Sequence, residues 1–211
     1  MAKEPVAGRV KTRLCPPCTP EEAAAIAEAA LADTLDAAVA SGADSVVVAL
    51  DGSPGPWLPS GVHVVPQVDA GFDRRLTHAW ADATRLTGDG GVQIGMDTPQ
   101  VTPALLDSAM DALDASDVDA VLGLAEDGGW WAIGLESADD RVFDGIPMST
   151  DRTGVAQRAR LESLDLRVTD LPVLVDVDHF TEAVTVAADI PGSRFAEAVR
   201  RVGAHTPGGH R

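Results

Sequence analysis

The chain has 211 residues, with 33 Asp and Glu against 16 Lys and Arg and a formal net charge of −17. Binding a phosphate backbone requires a basic footprint, so this balance argues against nucleic acid and, by the same repulsion, against an anionic membrane surface. No apolar run approaches the ~20 residues of a membrane span, and the opening Met-Ala-Lys-Glu-Pro lacks a signal peptide's apolar core. A cytoplasmic protein is therefore expected, with one domain over residues 1–204 and a flexible tail at 205–211.

Residues 3–14, Lys-Glu-Pro-Val-Ala-Gly-Arg-Val-Lys-Thr-Arg-Leu, read as a loop because Pro5 and Gly8 disfavour a helix. This loop holds four of the 16 basic residues: Lys3, Arg9, Lys11 and Arg13. Gly8 lets backbone amides approach an anion, while Lys and Arg add point charge and forked hydrogen bonds. That combination suits a di- or triphosphate, although a solvated basic loop paired with acidic neighbours has the same composition. Cys15-Pro-Pro-Cys18 has redox-motif spacing but lacks the setting that motif needs. The five scattered histidines offer no zinc set, so two free thiols are expected.

Thr19-Pro-Glu-Glu22 is a helix start: N-cap, first-turn proline and capping box. The alanine-rich run behind it reaches Ser41. Residues 45–50 are continuously apolar, as buried parallel strands are, and 62–65 form a further short strand. A helix is expected from Gly71 to about Leu86, with Arg74 and Arg75 in its first turn. Cations sit poorly there on dipole grounds, so these two are expected to face an anion. Residues 92–96 form a strand with Asp97 at its carboxyl end, and Gly95 leaves room for another backbone. A helix from Thr102-Pro103 to about Ala115 and a strand at 119–124 follow. Asp127-Gly128-Gly129 marks a tight turn. Residues 130–135 should then run back through the sheet, with Trp130 and Trp131 on opposite faces, one in the core and the other either lining a cleft or buried as well. A helix at 152–164, strand structure within 166–177, a helix after Asp178 to about Ala188 and a last helix at 192–202 complete the pattern. Strand–helix alternation of this kind predicts an α/β fold, a doubly wound and mostly parallel sheet.

In open α/β sheets ligands bind beyond the carboxyl ends of the strands, where Asp97 and Asp178 both fall. Each has a plainer alternative: Asp97 capping its own turn ahead of Thr98-Pro99, and Asp178 capping the next helix. Two carboxylates at a sheet edge can share a hard cation, and Mg²⁺ takes one or two carboxylates plus substrate phosphates. There is no Gly-Lys-Ser/Thr phosphate loop and no Gly-x-Gly-x-x-Gly fingerprint, which argues against a dinucleotide oxidoreductase.

Four segments, Lys3-x-Pro-x-x-Gly8-x-Val-Lys11-Thr-Arg13-Leu, Gly95-x-Asp97-x-Pro99, Asp127-Gly-Gly-Trp-Trp and Asp176-Val-Asp178, occur in the order found in a bacterial family that this chain resembles. That family comprises transferases of the glycosyltransferase-A (GT-A) fold associated with radical-SAM or selenocysteine domains, related to phospholactate guanylyltransferase-type nucleotidyltransferases. The resemblance covers nearly the whole chain and implies a GT-A sheet with helices on both faces. It implies a nucleotide-binding loop of Lys3, Gly8, Arg9, Lys11, Thr12 and Arg13, in which Lys11 and Arg13 hold phosphates. By the same resemblance Asp97 and Asp178 bind Mg²⁺ or Mn²⁺, Asp127 and the Gly128-Gly129 turn border an acceptor site, and Lys11, Asp97 and Asp127 carry catalysis. The implied substrates are a nucleoside triphosphate or nucleotide sugar and a small-molecule acceptor. The implied reaction is nucleotidyl transfer, with glycosyl transfer or binding without turnover as alternatives.

There are departures from the family pattern. His179-Phe180-Thr181-Glu182 replaces Thr-Pro-Glu-Asp, Gly71-Phe72-Asp73 replaces Gly-Asp-Leu-Gly, and Asp97 lacks the second acid of an Asp-x-Asp. The family also has an apolar run directly before Lys-x-Pro. Its absence here leads to the expectation that the first strand is missing and that Met1 is not the natural beginning of the fold.

Overall fold

Thr19 starts the longest helix as a full capping box: its side chain accepts from the Glu22 amide at 3.2 Å, and the Thr19 amide donates to Glu22 Oε2 at 2.8 Å. This helix is α1 (Pro20–Ala40) in a computed structural model that describes residues 1–88 and 90–205. The other helices are α2 (Phe72–Thr87), α3 (Pro103–Leu113), α4 (Thr153–Ser163), α5 (Phe180–Asp189) and α6 (Arg194–His205). The strands are β1 (Ala2–Lys3), β2 (Val47–Asp51), β3 (His63–Pro66), β4 (Gly91–Ile94), β5 (Ala120–Ala125), β6 (Trp130–Leu135) and β7 (Val168–Leu174). The tail expected at 205–211 begins inside α6, and 206–211 lie outside the described residues.

β1, β2 and β3 pair in parallel, and a second group runs β4-β6-β5-β7 with β6 antiparallel to both its neighbours. The expectation that the first strand is missing is corrected in part. Ala2 and Lys3 pair with Leu50 and Asp51. On the other side of this two-residue strand the Met1 amino group donates to Ile94 O at 2.8 Å and the Lys3 amide to Met96 Sδ at 3.2 Å. β1 is thus the narrow link between the two strand groups, and its end feeds straight into the basic loop.

Helices cover both faces. Leu76 and Trp80 of α2 and Leu161 of α4 pack on Leu122, Ile133 and Leu135, while Leu106, Ala109 and Leu113 of α3 pack on Val121, Trp131 and Ala132 from the opposite side. α1 lays Ala24, Ala27 and Leu31 over Ala2, Val48 and Leu50, and its other flank joins α5 and α6 around Phe195. The pairing of β5 with β6 shifts between Gly123 and Leu124, opposite the two tryptophans. A β-bulge of this kind re-aims a side chain. A Cβ on Gly123 would lie 2.4 Å from Trp131 Nε1, so only glycine lets that indole cross β5. Trp131 is 1% exposed and donates to Pro172 O at 2.9 Å, whereas Trp130 is half-buried on the other face and stacks on Phe143. The tryptophans divide as expected.

Candidate active site

The basic loop is held by its apolar members. Val10 and Leu14 are buried in separate parts of the core, which turns Arg9, Thr12 and Arg13 outward. Lys11 sits at φ 47°, ψ 37°, immediately before a 3-10 turn over Thr12–Leu14. This left-handed backbone is costly for a residue with a side chain, and it carries the lysine inward. Its side chain is only 7% exposed. The ammonium lies 2.6 Å from Asp97 Oδ1 and 3.7 Å from Asp178 Oδ1, and it donates to Val177 O. Arg13 Nη1 reaches Asp178 Oδ2 at 2.5 Å. Burial alone would lower the Lys11 pKa. The Asp97 charge and hydrogen bond, then Asp178 and Asp176, outweigh it and raise the group above its ordinary value.

The carboxylates meet because their two segments are stitched together. The Val177 amide donates to Asp97 O at 2.9 Å, and Gln100 Nε2 to Val175 O at 2.7 Å. Asp97 does not cap its own turn, since its side chain goes to Lys11. Nor does Asp178 cap the following helix. His179 is the N-cap, and Glu182 Oε2 accepts from the Asp178 and His179 amides at 2.7 Å each. Gly95 is not needed for backbone approach: a Cβ there would meet only the Asp97 amide, at 4.0 Å, and the space belongs to the cavities.

Two cavities adjoin along Asp97 and Asp178. One, of about 340 Å³, is lined by Lys3, Arg9, Lys11, Thr12, Arg13 and Arg75. Lys3 and Arg9 have no ion-pair partner among the described residues. Gly8 is not on its wall. With φ +74° and open space around it, Gly8 serves the turn. Arg75 belongs to this cavity although sequence reasoning left it outside the site. It donates to Gln67 Oε1 at 2.7 Å and to Asp51 Oδ2 at 3.1 Å. The anion expected for Arg74 is Asp144, 3.7 Å away on the surface.

The second cavity, of about 520 Å³, runs over Phe72, Leu76, Trp130 and Met148 and is bordered by Asp127, Asp151 and Asp176 as well as Asp97 and Asp178. Asp127 Oδ1 accepts the Gly129 amide at 2.8 Å, and the side chain is otherwise exposed. At Gly128 (φ +89°) a Cβ would lie 2.1 Å from Asp151 O, so this glycine lets the turn press against the loop ahead of α4. Asp176 was absent from the candidates. It follows from a period of two: Val177 is 1% exposed, so Asp176 and Asp178 lie on the side away from it. Burial, then the Asp97 charge, with Lys11 opposing, raises the Asp176 pKa to about 7.

No group of three Asp, Glu, His or Cys among the described residues is close enough to hold a metal unaided. The donor set nonetheless fits a hard cation. Asp97 and Asp178 share the buried Lys11 ammonium, Arg13 adds a more exposed charge on Asp178, and a third carboxyl group, Asp176, has no hydrogen-bond or ion-pair partner among the described residues. Hard-oxygen ligation by one or two carboxylates completed by phosphates is Mg²⁺ chemistry.

Cys15 and Cys18 are free thiols, and burial pushes Cys18 up to about 11. Since the thiolate is the nucleophile, iodoacetamide at pH 7.5 should label Cys15 and spare Cys18 in the folded protein. Equal labelling of both by mass spectrometry would overturn this.

The fold is similar to that of a protein from Desulfovibrio desulfuricans described as a nucleotide-diphospho-sugar transferase, with a TM-score of 0.85 and 25% identity over 96% of this chain and 92% of that one. A manganese complex of Rv0371c from Mycobacterium tuberculosis matches at TM-score 0.54 and 24% identity, over 88% and 94% of the two chains. A cytidylyltransferase from Leptospira borgpetersenii matches at TM-score 0.56 and 12% identity, over 100% and 96%. The last two are likenesses of fold alone. No curated protein matches the chain. No helix among the described residues is long and apolar enough to cross a membrane. The family model for "Uncharacterized protein conserved in bacteria (DUF2064)" matches residues 25–150, more than half of the sequence, and the chain belongs to that family.

Proposed function

We propose that this protein is a metal-dependent transferase that takes a nucleoside triphosphate or nucleotide sugar in the cationic cavity and a small acceptor in the acidic one. The observation that carries this reading is the junction of the two cavities. Asp97 and Asp178 line both, and they share the buried Lys11 ammonium there. Arg9 and Arg13 cradle the polyphosphate, with Lys3 and Arg75 lining the same cavity. Asp97 and Asp178 hold Mg²⁺ or Mn²⁺. The metal, when bound, neutralises the charge that develops on the leaving phosphate. Lys11 lies within reach of the same junction and adds a second cation to it. Asp127, which lines the acidic cavity, accepts the proton of the acceptor. The likeness to a nucleotide-diphospho-sugar transferase supports the reading.

The test is product identity. The protein is incubated with Mn²⁺ and each nucleoside triphosphate or nucleotide sugar, and released pyrophosphate is assayed against nucleoside diphosphate. Pyrophosphate marks nucleotidyl transfer and nucleoside diphosphate marks glycosyl transfer. Neither product, across donors that do bind, would leave a nucleotide-binding protein without turnover. Arg9→Ala and Arg13→Ala should each weaken triphosphate binding by roughly 1.5–3 kcal/mol, the scale of a hydrogen bond to a charged group. Arg13, 65% exposed, should fall at the lower end. The loss should shrink for a monophosphate, and equal losses for both would move these arginines to the base or ribose.

A further inference from the structure

We infer that the acceptor attacks through a neutral hydroxyl or an amine and carries no phosphate or carboxylate of its own. This rests on the transferase reading and concerns only the second substrate. The two cavities differ in sign. Five cationic side chains line the first: Lys3, Arg9, Lys11, Arg13 and Arg75. Asp97 and Asp178 line both, at the junction assigned to the metal, and the second cavity adds three carboxyl groups of its own, Asp127, Asp151 and Asp176. The acidic side has two cationic groups, Arg13 and the Met1 amine. Arg13 is bonded to Asp178, and the Met1 amine, donated to Ile94 O, is pushed down to about 6 by burial.

Ionised carboxylates accept hydrogen bonds and donate none. A wall of them is satisfied by hydroxyl or ammonium donors and left unpaired by a phosphate or carboxylate. The same cavity is also lined by the apolar side chains of Phe72, Leu76, Trp130 and Met148. An aromatic ring in such a lining stacks on a ligand with an apolar face. Sugars and amino sugars combine hydrogen-bond donors with such a face.

The chemistry balances without a further reactant. The acceptor O–H or N–H gives its proton to Asp127, and its heteroatom bonds to the donor. With a nucleotide sugar the anomeric C–O bond breaks and nucleoside diphosphate leaves. With a triphosphate the Pα–O bond breaks and pyrophosphate leaves. Synthesis of a nucleotide sugar from a sugar phosphate needs an anionic nucleophile in this cavity, and the wall opposes it.

The experiment fills the cationic cavity first. The whole chain is saturated with Mn²⁺ and UDP, with UTP or another nucleotide substituted where it gives the larger thermal shift. It is then titrated with glucosamine, glucose, glucose 1-phosphate and glucuronate, and read by tryptophan fluorescence and calorimetry. Glucosamine and glucose should bind saturably, glucosamine more tightly, and both at least about tenfold more tightly than either anion. Trp130→Ala should lose sugar binding and keep nucleotide affinity. Asp151→Lys, on an exposed loop, should narrow the preference against glucose 1-phosphate at least about threefold. Two results would overturn the inference while nucleotides still bind: an anionic probe binding as well as glucose, or no saturable binding of glucose and glucosamine. If no nucleotide shifts the melting curve, the transferase reading itself fails and the acceptor falls with it.

Discussion

Asp97→Asn is expected to abolish metal-dependent nucleotide binding and to lower the stability of the apoprotein by about 2–3 kcal/mol. The first effect follows from removing the carboxylate that lies on both cavities. The second follows from its partner. Lys11 is 7% exposed and its ammonium is 2.6 Å from Asp97. Removing one member of a buried pair costs ~3–5 kcal/mol because the other is left charged and unpaired, whereas exposed pairs are worth ~0–1 kcal/mol. Here the retained member is the buried one, Asp97 itself is 38% exposed, and Asp178 and the Val177 carbonyl still hold the ammonium. An intermediate value is therefore expected. At ~2–4 °C per kcal/mol for a chain of this size, the melting temperature should drop by roughly 4–12 °C. Lys11→Met added to Asp97→Asn removes the orphaned charge and should restore most of that loss without restoring metal binding. A single variant as stable as the parent would mean that Lys11 finds another partner. Unchanged Mn²⁺ titration with nucleotide present would remove Asp97 from the metal site.

What the sequence showed, and what it hid, divides along local and non-local lines. The α1 start was legible because Thr19, Pro20 and Glu22 act on one another within a single turn. The antiparallel β6 and the opposite faces of its tryptophans were legible from a period of two and a glycine turn. Asp97 and Asp178 stood out because each follows a strand in an α/β pattern. Their convergence on Lys11 was not legible in residues alone. It joins positions 166 and 86 residues or more apart through the left-handed turn at Lys11 and the backbone bonds between the Asp97 and Val177 segments. β1 escaped because two residues carry no periodicity. Arg75 escaped because its partners, Gln67 and Asp51, come from different strand ends. Asp176 was within reach of pattern reading: an acid two residues before Asp178, with an apolar residue between, shares its side of the chain.

Asp176→Asn is expected to stabilise the protein at pH 8 and to weaken the site. Burial and the neighbouring Asp97 charge raise the Asp176 pKa from an ordinary 3.8 to about 7. Below the ordinary value both the folded and unfolded chains hold the proton, and the folded state carries no penalty. Between 3.8 and about 7 the unfolded chain releases the proton while the folded chain retains it, so stability declines as the pH rises. Above about 7 the folded chain must hold the charge, and the full penalty applies. Raising a carboxyl that far corresponds to about 4 kcal/mol at most. The side chain is only half-buried, which brings the expected figure to about 2 kcal/mol. Asparagine has no such titration. Its advantage over the parent should be largest at pH 8, shrink as the pH falls and vanish below the ordinary carboxyl value. Melting curves across that range measure it directly, with a rise of roughly 4–8 °C expected at pH 8. Mn²⁺ affinity in the presence of nucleotide should fall in the same variant, since a negative charge facing the Asp97–Asp178 junction is lost. A variant more stable yet poorer at binding metal is the signature of a carboxylate retained for function at a cost in stability. Lower stability at pH 8, or a gap that does not close on acidification, would mean that Asp176 is ionised in a favourable setting and that the junction holds its charges differently.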